Sequence, residues 1–194
     1  DPARAVLYLA RPCQFGDRPS APICDARYWS SHRYAPEVLA AFVAALDWAA
    51  SQAGPNVKVR FGLVGYSGGG ALAALLAQQR DDIAWLVTIA ANLDVHAWTR
   101  HHRLSRLSGS LDPVVHAQSL RGLPQQHLIG DRDDVVPALT RARFLAASGA
   151  SQRIVEGVNH SCCWAESWPA LLCRFLAEIP ATTGTTQSSV RRGC

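Results

Sequence analysis

The sequence contains no methionine, and only one of its 19 basic residues, Lys58, is a lysine. Because position 1 is not methionine and the first residues lack the charged and apolar regions of a signal peptide, we expect the natural start to lie upstream. The excess of arginine comes with abundant alanine and a net charge of only +4, which indicates a coding bias. We expect no nucleic-acid partner.

A hydrophobic run suited to crossing a membrane is also lacking. The longest uncharged stretch, residues 61–79, carries five glycines, and we predict no transmembrane helix in this chain. The 194 residues suit one domain, predicted over 1–180. Residues 181–194 are rich in Thr, Ser and Gly with Val190 as their only apolar anchor, which predicts a disordered tail.

The six cysteines include no C-x-x-C pair, which favours an oxidising compartment over a zinc site. Cys13 and Cys24 flank a proline-rich loop and are the expected disulfide. The other four cysteines allow several pairings; they are Cys162, Cys163, Cys173 and Cys194. We expect a bridge from the Cys162-Cys163 pair to another cysteine, which would hold the loop that carries this pair. Reduced, buried thiols are the alternative.

Residues 57–80 predict a buried strand, a sharp turn and a helix. The turn carries the pattern G-x-S-x-G with Ser67 at its centre, and helical spacing of apolar residues follows. This pattern is typical of a nucleophile elbow, in which small flanking residues are needed because side chains at the glycine positions would collide with the neighbouring strand and helix. A close-packed or phosphate-binding turn is the alternative, but the lysine of a Walker pattern is absent.

Strands and helices alternate along the rest of the chain, which predicts a mostly parallel sheet with helices on both faces. The expected strands are 4–10, the elbow strand, 83–91, 126–129 and 152–156; the expected helices are 34–53, the elbow helix, 138–148 and 168–179. Residues 92–124 have no sustained period and predict an irregular, cap-like segment. Its histidines at 96, 101 and 102 lack partners at ligand spacing, so we predict no metal site there.

Two candidate partners for Ser67 follow later strands. His160 comes after the strand that ends near Val155, and Asp133 lies in the loop 130–137. Because the carboxyl ends of parallel strands share one edge of a sheet, these side chains are expected to meet Ser67 there. An imidazole can activate a serine hydroxyl when a carboxylate orients it. Asp94 and Asp134 are the alternative acids.

These motifs resemble a group of bacterial α/β-hydrolases that are commonly exported or lipid-anchored. The resemblance covers residues 4–179 and is carried by RPCQF at 11–15, YW at 28–29, GYSGGGALAALLA at 65–77, the loop 130–137 and NHSCCWAESWP at 159–169. It implies the α/β-hydrolase fold, catalytic roles for Ser67, Asp133 and His160, and an exported, periplasmic or lipid-anchored location. The expected function is cleavage of a small carboxylic ester through an acyl-enzyme, without metal or organic cofactor. An acyltransferase and a binding protein without turnover are the alternatives.

Compared with that fold, the chain begins at the fourth strand and lacks the first three. A strand supplied by an upstream segment or a second chain is expected between residues 4–10 and the elbow strand, because neighbouring strands must lie about 4.8 Å apart. The Gly68 N–H supplies one donor of the oxyanion hole, and the second is expected upstream of residue 1. The isolated chain is then expected to be weakly active or unstable.

Overall fold

The structure contains a four-stranded parallel sheet. It is a computed structural model and describes residues 5–14 and 24–179. The strands are β1 (Phe61–Tyr66), β2 (Ile83–Ile89), β3 (Gln125–Gly130) and β4 (Gln152–Val155), and they lie in the sheet in sequence order. The helices are α1 (Pro36–Ser51), α2 (Gly68–Gln79), α3 (Val95–His101), α4 (Ala142–Ser148) and α5 (Trp164–Glu178). Three short 3-10 helices span Ala26–Trp29, Pro113–Leu120 and Ala138–Arg141.

Helices cover both faces of this sheet, as the alternating pattern predicts. On one face, apolar residues of α1, α2 and α4 form the larger core with Leu63 and Leu86. On the other face, Trp164 and Phe175 of α5 pack against Val87 and Leu128. Burial on both faces accounts for the nearly continuous apolar run of β2, since a parallel strand that is covered on two sides needs no polar alternation.

The prediction of a strand at 4–10 is wrong for the residues that the structure describes. Residues 5–10 have no strand assignment, and the side chains of Val6 and Tyr8 are 75% and 92% exposed. A strand requires a hydrogen-bonded neighbour, and none of the described residues pairs with this segment. Arg4 lies outside the described residues.

The segment 92–124 is more regular than predicted. It contains α3 and the 3-10 helix Pro113–Leu120. Both begin at an aspartate whose side chain accepts a backbone N–H, Asp94 from Ala97 and Asp112 from Val114. Capped helices of about two turns are too short to give an apolar period in the sequence, which explains the difference.

Other boundaries differ by a few residues. The helix predicted at 168–179 begins four residues earlier, at Trp164, and the one predicted at 138–148 opens with a 3-10 turn. In the described residues no helix combines the length and apolarity that crossing a membrane requires. The tail predicted at 181–194 lies outside the described residues.

Candidate active site

Ser67 lies on a sharp turn between β1 and α2. Its backbone has φ +50° and ψ −120°, an uncommon conformation for a residue with a side chain. Its N–H donates to the Ile89 carbonyl on the neighbouring strand at 2.8 Å, which ties the turn to the end of β2. The hydroxyl is thereby held at the carboxyl edge of the sheet, at the start of α2.

The glycines of this turn are not equally crowded. A β-carbon at Gly65 would overlap the backbone of Gly69 and Gly70, and one at Gly70 would overlap the Ala91 side chain and lie 2.9 Å from the Gly65 carbonyl oxygen. A β-carbon at Gly69 would meet nothing within 4 Å. The expected collision is therefore correct for Gly65 but wrong for Gly69, because α2 crosses β1 and β2 one residue later, at Gly70.

The side chains of Ser67, His160 and Asp133 lie together although the chain separates them widely. His160 Nε2 is 3.1 Å from Ser67 Oγ, and His160 Nδ1 is 3.1 and 3.2 Å from the two carboxylate oxygens of Asp133. The His160 side chain is 13% exposed and that of Asp133 is fully buried. An imidazole so placed can take a proton from the hydroxyl while the carboxylate fixes its tautomer.

The backbone around Asp133 defines the position of its carboxylate. Asp133 Oδ1 accepts hydrogen bonds from the N–H groups of Val135 and Val136 at 3.1 and 2.8 Å. The same loop is held by α3 and the residue that follows it, because Trp98 Nε1 and His102 Nε2 both lie within 2.8 Å of the Val135 carbonyl oxygen, which accepts from them. The segment 92–124 therefore supports the loop that carries Asp133.

The two alternative acids lie in other surroundings. Asp94 is 1% exposed, caps α3 through the Ala97 N–H and lies 3.3 Å from the guanidinium of Arg143. Asp134 is exposed. Neither has a hydrogen bond with His160 among the contacts of the described residues, so Asp133 is the aspartate that the structure brings to the imidazole.

Tyr66 and Asn159, which are not among the predicted site residues, also position His160. The Tyr66 hydroxyl donates to the His160 carbonyl at 2.6 Å. Burial, and then the charge of Asp133, raise the pKa of Tyr66, so this phenol stays a donor. Asn159 Oδ1 accepts from the N–H groups of Ser161 and Cys162, which closes a tight turn after His160. The residue type at Asn159 signals such a turn, whereas the partner of Tyr66 lies 94 positions away and gives no sequence signal.

The disulfides confirm one expectation and correct another. Cys13 and Cys24 are bonded, with a Cα–Cα distance of 5.4 Å. Cys162 and Cys163 are bonded to each other, so the expected bridge from this pair to another cysteine is wrong. The two cysteines are chain neighbours in the turn that leads into α5. Cys173 is also disulfide-bonded, and Cys194 lies outside the described residues. Disulfides are compatible with an oxidising compartment.

The first turn of α2 offers hydrogen-bond donors beside Ser67. Gly68 is the first residue of α2, so its N–H has no acceptor within the helix. Near the position of a Gly68 β-carbon lie the Tyr34 hydroxyl, at 3.1 Å, and Arg11 Nη1, at 3.6 Å. Neither residue is among the site residues that the sequence predicts.

Comparison with solved structures identifies the fold. The chain resembles a puromycin hydrolase at 24% identity and a TM-score of 0.55, over 69% of this chain and 23% of that one. It also resembles an esterase from Pyrococcus furiosus, at 16% identity and a TM-score of 0.58 over 73% of this chain and 62% of that one. An alpha/beta hydrolase from Penicillium is similar at 13% identity and a TM-score of 0.56, over 74% and 71%. The four parallel strands and their helices therefore have the α/β-hydrolase fold.

The likeness is one of structure and is partial in length. The chain spans about a quarter of the puromycin hydrolase and about three fifths of the Pyrococcus esterase. The sequence matches no protein-family model and no curated protein. The structural neighbours are hydrolases that include an esterase and peptidases.

Proposed function

We propose that the protein is a serine hydrolase that cleaves a carboxylic ester through an acyl-enzyme. The main support is the chain of hydrogen bonds from Ser67 through His160 to Asp133. Ser67 has a positive φ and lies at the N-terminus of α2. The hydrolase fold of the structural neighbours agrees with it.

In the proposed reaction, His160 takes the proton of Ser67 as its hydroxyl oxygen attacks the ester carbonyl. Asp133 holds the imidazole in the tautomer that has its proton on Nδ1 and stabilises the imidazolium. The Gly68 N–H donates to the oxyanion. His160 then protonates the leaving alcohol, and activates a water molecule that releases the acyl group from Ser67.

We also propose that a strand from outside this chain completes the sheet next to β1 and brings the second oxyanion donor. β1 is one of the two edge strands of the described sheet, and residues 5–10, all exposed except Leu9, lie unpaired in the described part of the chain. Loss of one oxyanion donor typically costs about 3–4 kcal/mol of transition-state stabilisation, so these residues alone should turn over ester slowly. The disulfide between Cys13 and Cys24 supports a location outside the reducing cytoplasm, such as the periplasm or a lipid-anchored position.

The test is labelling of the full-length protein with a fluorophosphonate, which reacts with activated serines. Peptide mass spectrometry should find the adduct on Ser67, and Ser67→Ala and His160→Ala should each abolish it. Absence of labelling in the folded wild type would favour a binding protein without turnover. Transfer of the acyl group to an added alcohol in preference to water would favour an acyltransferase.

A further inference from the structure

Among the described residues, the half-buried guanidinium of Arg11 has no acidic partner. Burial lowers the pKa of its guanidinium; the nearby Tyr34 acts in the opposite direction, and the charge of Arg33 lowers the pKa further. Among the described residues, five other arginines form ion pairs with carboxylates, and Arg11 forms none; the five are Arg27, Arg80, Arg143, Arg153 and Arg174. A partly desolvated charge without a counter-ion is costly, so a guanidinium in this position is suited to an anion from solution.

The position of Arg11 is next to the reacting serine. Its Nη1 lies 3.6 Å from the place of a Gly68 β-carbon, and the Tyr34 hydroxyl lies 3.1 Å from the same place. A β-carbon is two bonds of about 1.5 Å from its own amide nitrogen, so Arg11 Nη1 lies within about 7 Å of the Gly68 N–H. A group bound to Arg11 is therefore within reach of a substrate whose carbonyl is held at Ser67.

The Tyr34 hydroxyl lies beside this guanidinium, and the buried side chain of Asn92 lies next to Tyr34. Tyr34 is 3% exposed, and the side chain of Asn92 is its hydrogen-bonding neighbour. Asn92 is 5% exposed, and its Oδ1 has no partner in the described part of the chain. The first turn of the 12-residue helix α2 adds a partial positive charge at the same place.

The chemistry of this group selects a carboxylate. The guanidinium fork matches the two oxygens of a carboxylate, and a tyrosine hydroxyl can donate to the same group. We propose that Arg11 and Tyr34 form a subsite beside Ser67 that binds a carboxylate on the acyl part of the ester, so that the protein prefers half-esters of dicarboxylic acids over neutral esters. This inference rests on the proposed ester hydrolysis and adds the class of its substrate.

The test compares two substrates of nearly equal shape. The mono-4-nitrophenyl ester of adipic acid carries a terminal carboxylate, and 4-nitrophenyl adipamate carries a neutral amide in its place. In the full-length protein, with the rate of Ser67→Ala subtracted as background, we expect kcat/KM to be about 10- to 100-fold higher for the carboxylate. Arg11→Gln should bring this ratio close to one. Lys58→Gln removes the same charge at an exposed position before β1 and should leave the ratio as in the wild type.

The outcomes separate this inference from the proposed function. Hydrolysis of neither ester by the wild type would contradict both. Hydrolysis of both esters at equal rates would overturn the subsite alone, as would a ratio that Arg11→Gln leaves unchanged. If circular dichroism shows that Arg11→Gln does not fold, Arg11→Lys keeps the charge but loses the fork, and should lower the ratio several-fold. An unchanged ratio in Arg11→Lys would then overturn the subsite.

Discussion

Asp133 and Asp134 are chain neighbours with opposite surroundings. The carboxylate of Asp133 is buried, accepts two backbone N–H groups and lies against His160, whereas Asp134 is exposed. Two backbone donors fix the direction of the Asp133 carboxylate before any substrate binds. These neighbours are therefore a matched pair for testing which carboxylate orients the imidazole.

We expect Asp133→Asn to lower kcat for ester hydrolysis by a factor on the order of 10³ to 10⁴, because an amide cannot stabilise the imidazolium or hold its tautomer. Asp134→Asn should change kcat less than twofold. Steady-state kinetics on a 4-nitrophenyl ester with the two purified variants measures both. Equal losses in the two variants would contradict the assignment of Asp133.

Tyr66 acts on the backbone of His160 rather than on substrate. Tyr66→Phe removes the 2.6 Å hydrogen bond to the His160 carbonyl and leaves the ring in place. One such bond is worth about 0.5–1.5 kcal/mol, so we expect kcat/KM to fall roughly 2- to 12-fold while fluorophosphonate still labels Ser67. Tyr8→Phe, at a tyrosine that is 92% exposed, is the control. A loss beyond a hundredfold would mean that the Tyr66 hydroxyl takes part in the reaction itself.

At the scale of elements, the elbow depends on where α2 crosses the sheet. β-carbons at Gly65 and Gly70 would overlap backbone or packed side chains, while Gly69 faces open space. The pattern G-x-S-x-G identifies the turn but does not distinguish these positions. The difference follows from how α2 packs on β1 and β2, which the local sequence does not define.

We expect Gly65→Ala and Gly70→Ala each to lower the free energy of unfolding by about 1–3 kcal/mol, since both overfill a packed contact. Gly69→Ala should be neutral or stabilising by up to about 1 kcal/mol, because alanine is the better helix former. Urea denaturation of the three variants measures this order. Equal destabilisation at Gly69 and Gly70 would contradict the crossing seen in the structure.

The sequence predicts these elements well where an element carries its own signal. The predicted strand segments at β1 to β4 and the helical spacing of apolar residues in α1 and α2 indicate a parallel sheet whose strands alternate with helices. The prediction fails where partners decide the outcome. Residues 5–10 have an apolar strand composition but no paired neighbour among the described residues, and Cys162 and Cys163, adjacent in a local turn, pair with each other.

The three side chains of the candidate site could also be predicted from their positions after strands. Ser67, Asp133 and His160 each follow a strand, and a parallel sheet brings such positions to one edge, where the structure has their side chains in contact. Their catalytic roles remain predictions. Arg11 and Tyr34 approach the first turn of α2 from the segment before β1, and no motif indicates that approach.

At the scale of the whole molecule, a buried histidine couples stability to pH. His127 of β3 is fully buried, and its ring nitrogens bond to Thr88 Oγ1 at 2.8 Å and Gln125 Oε1 at 3.1 Å. Burial, and then the charge of Arg141, lower the pKa of His127 from 6.5 to about 3. The folded protein therefore keeps this ring neutral at a pH where the unfolded chain binds a proton.

Between the pKa of about 3 in the folded protein and 6.5 in the unfolded chain, the unfolded state holds one more proton at His127. The free energy of unfolding attributable to this ring is thus fully present above pH 6.5, and falls by about 1.4 kcal/mol for each pH unit below it. Carboxylates also contribute to acid instability, so the informative quantity is the difference between variants.

We expect urea denaturation at pH 7, 6, 5 and 4 to give a shallower loss of stability for His127→Gln than for the wild type, even though the variant is less stable at pH 7. His116→Gln, at an exposed histidine, should follow the wild-type slope. Parallel curves for His127→Gln and the wild type would mean that His127 is protonated in the folded protein, and that the core around Thr88 admits its charge.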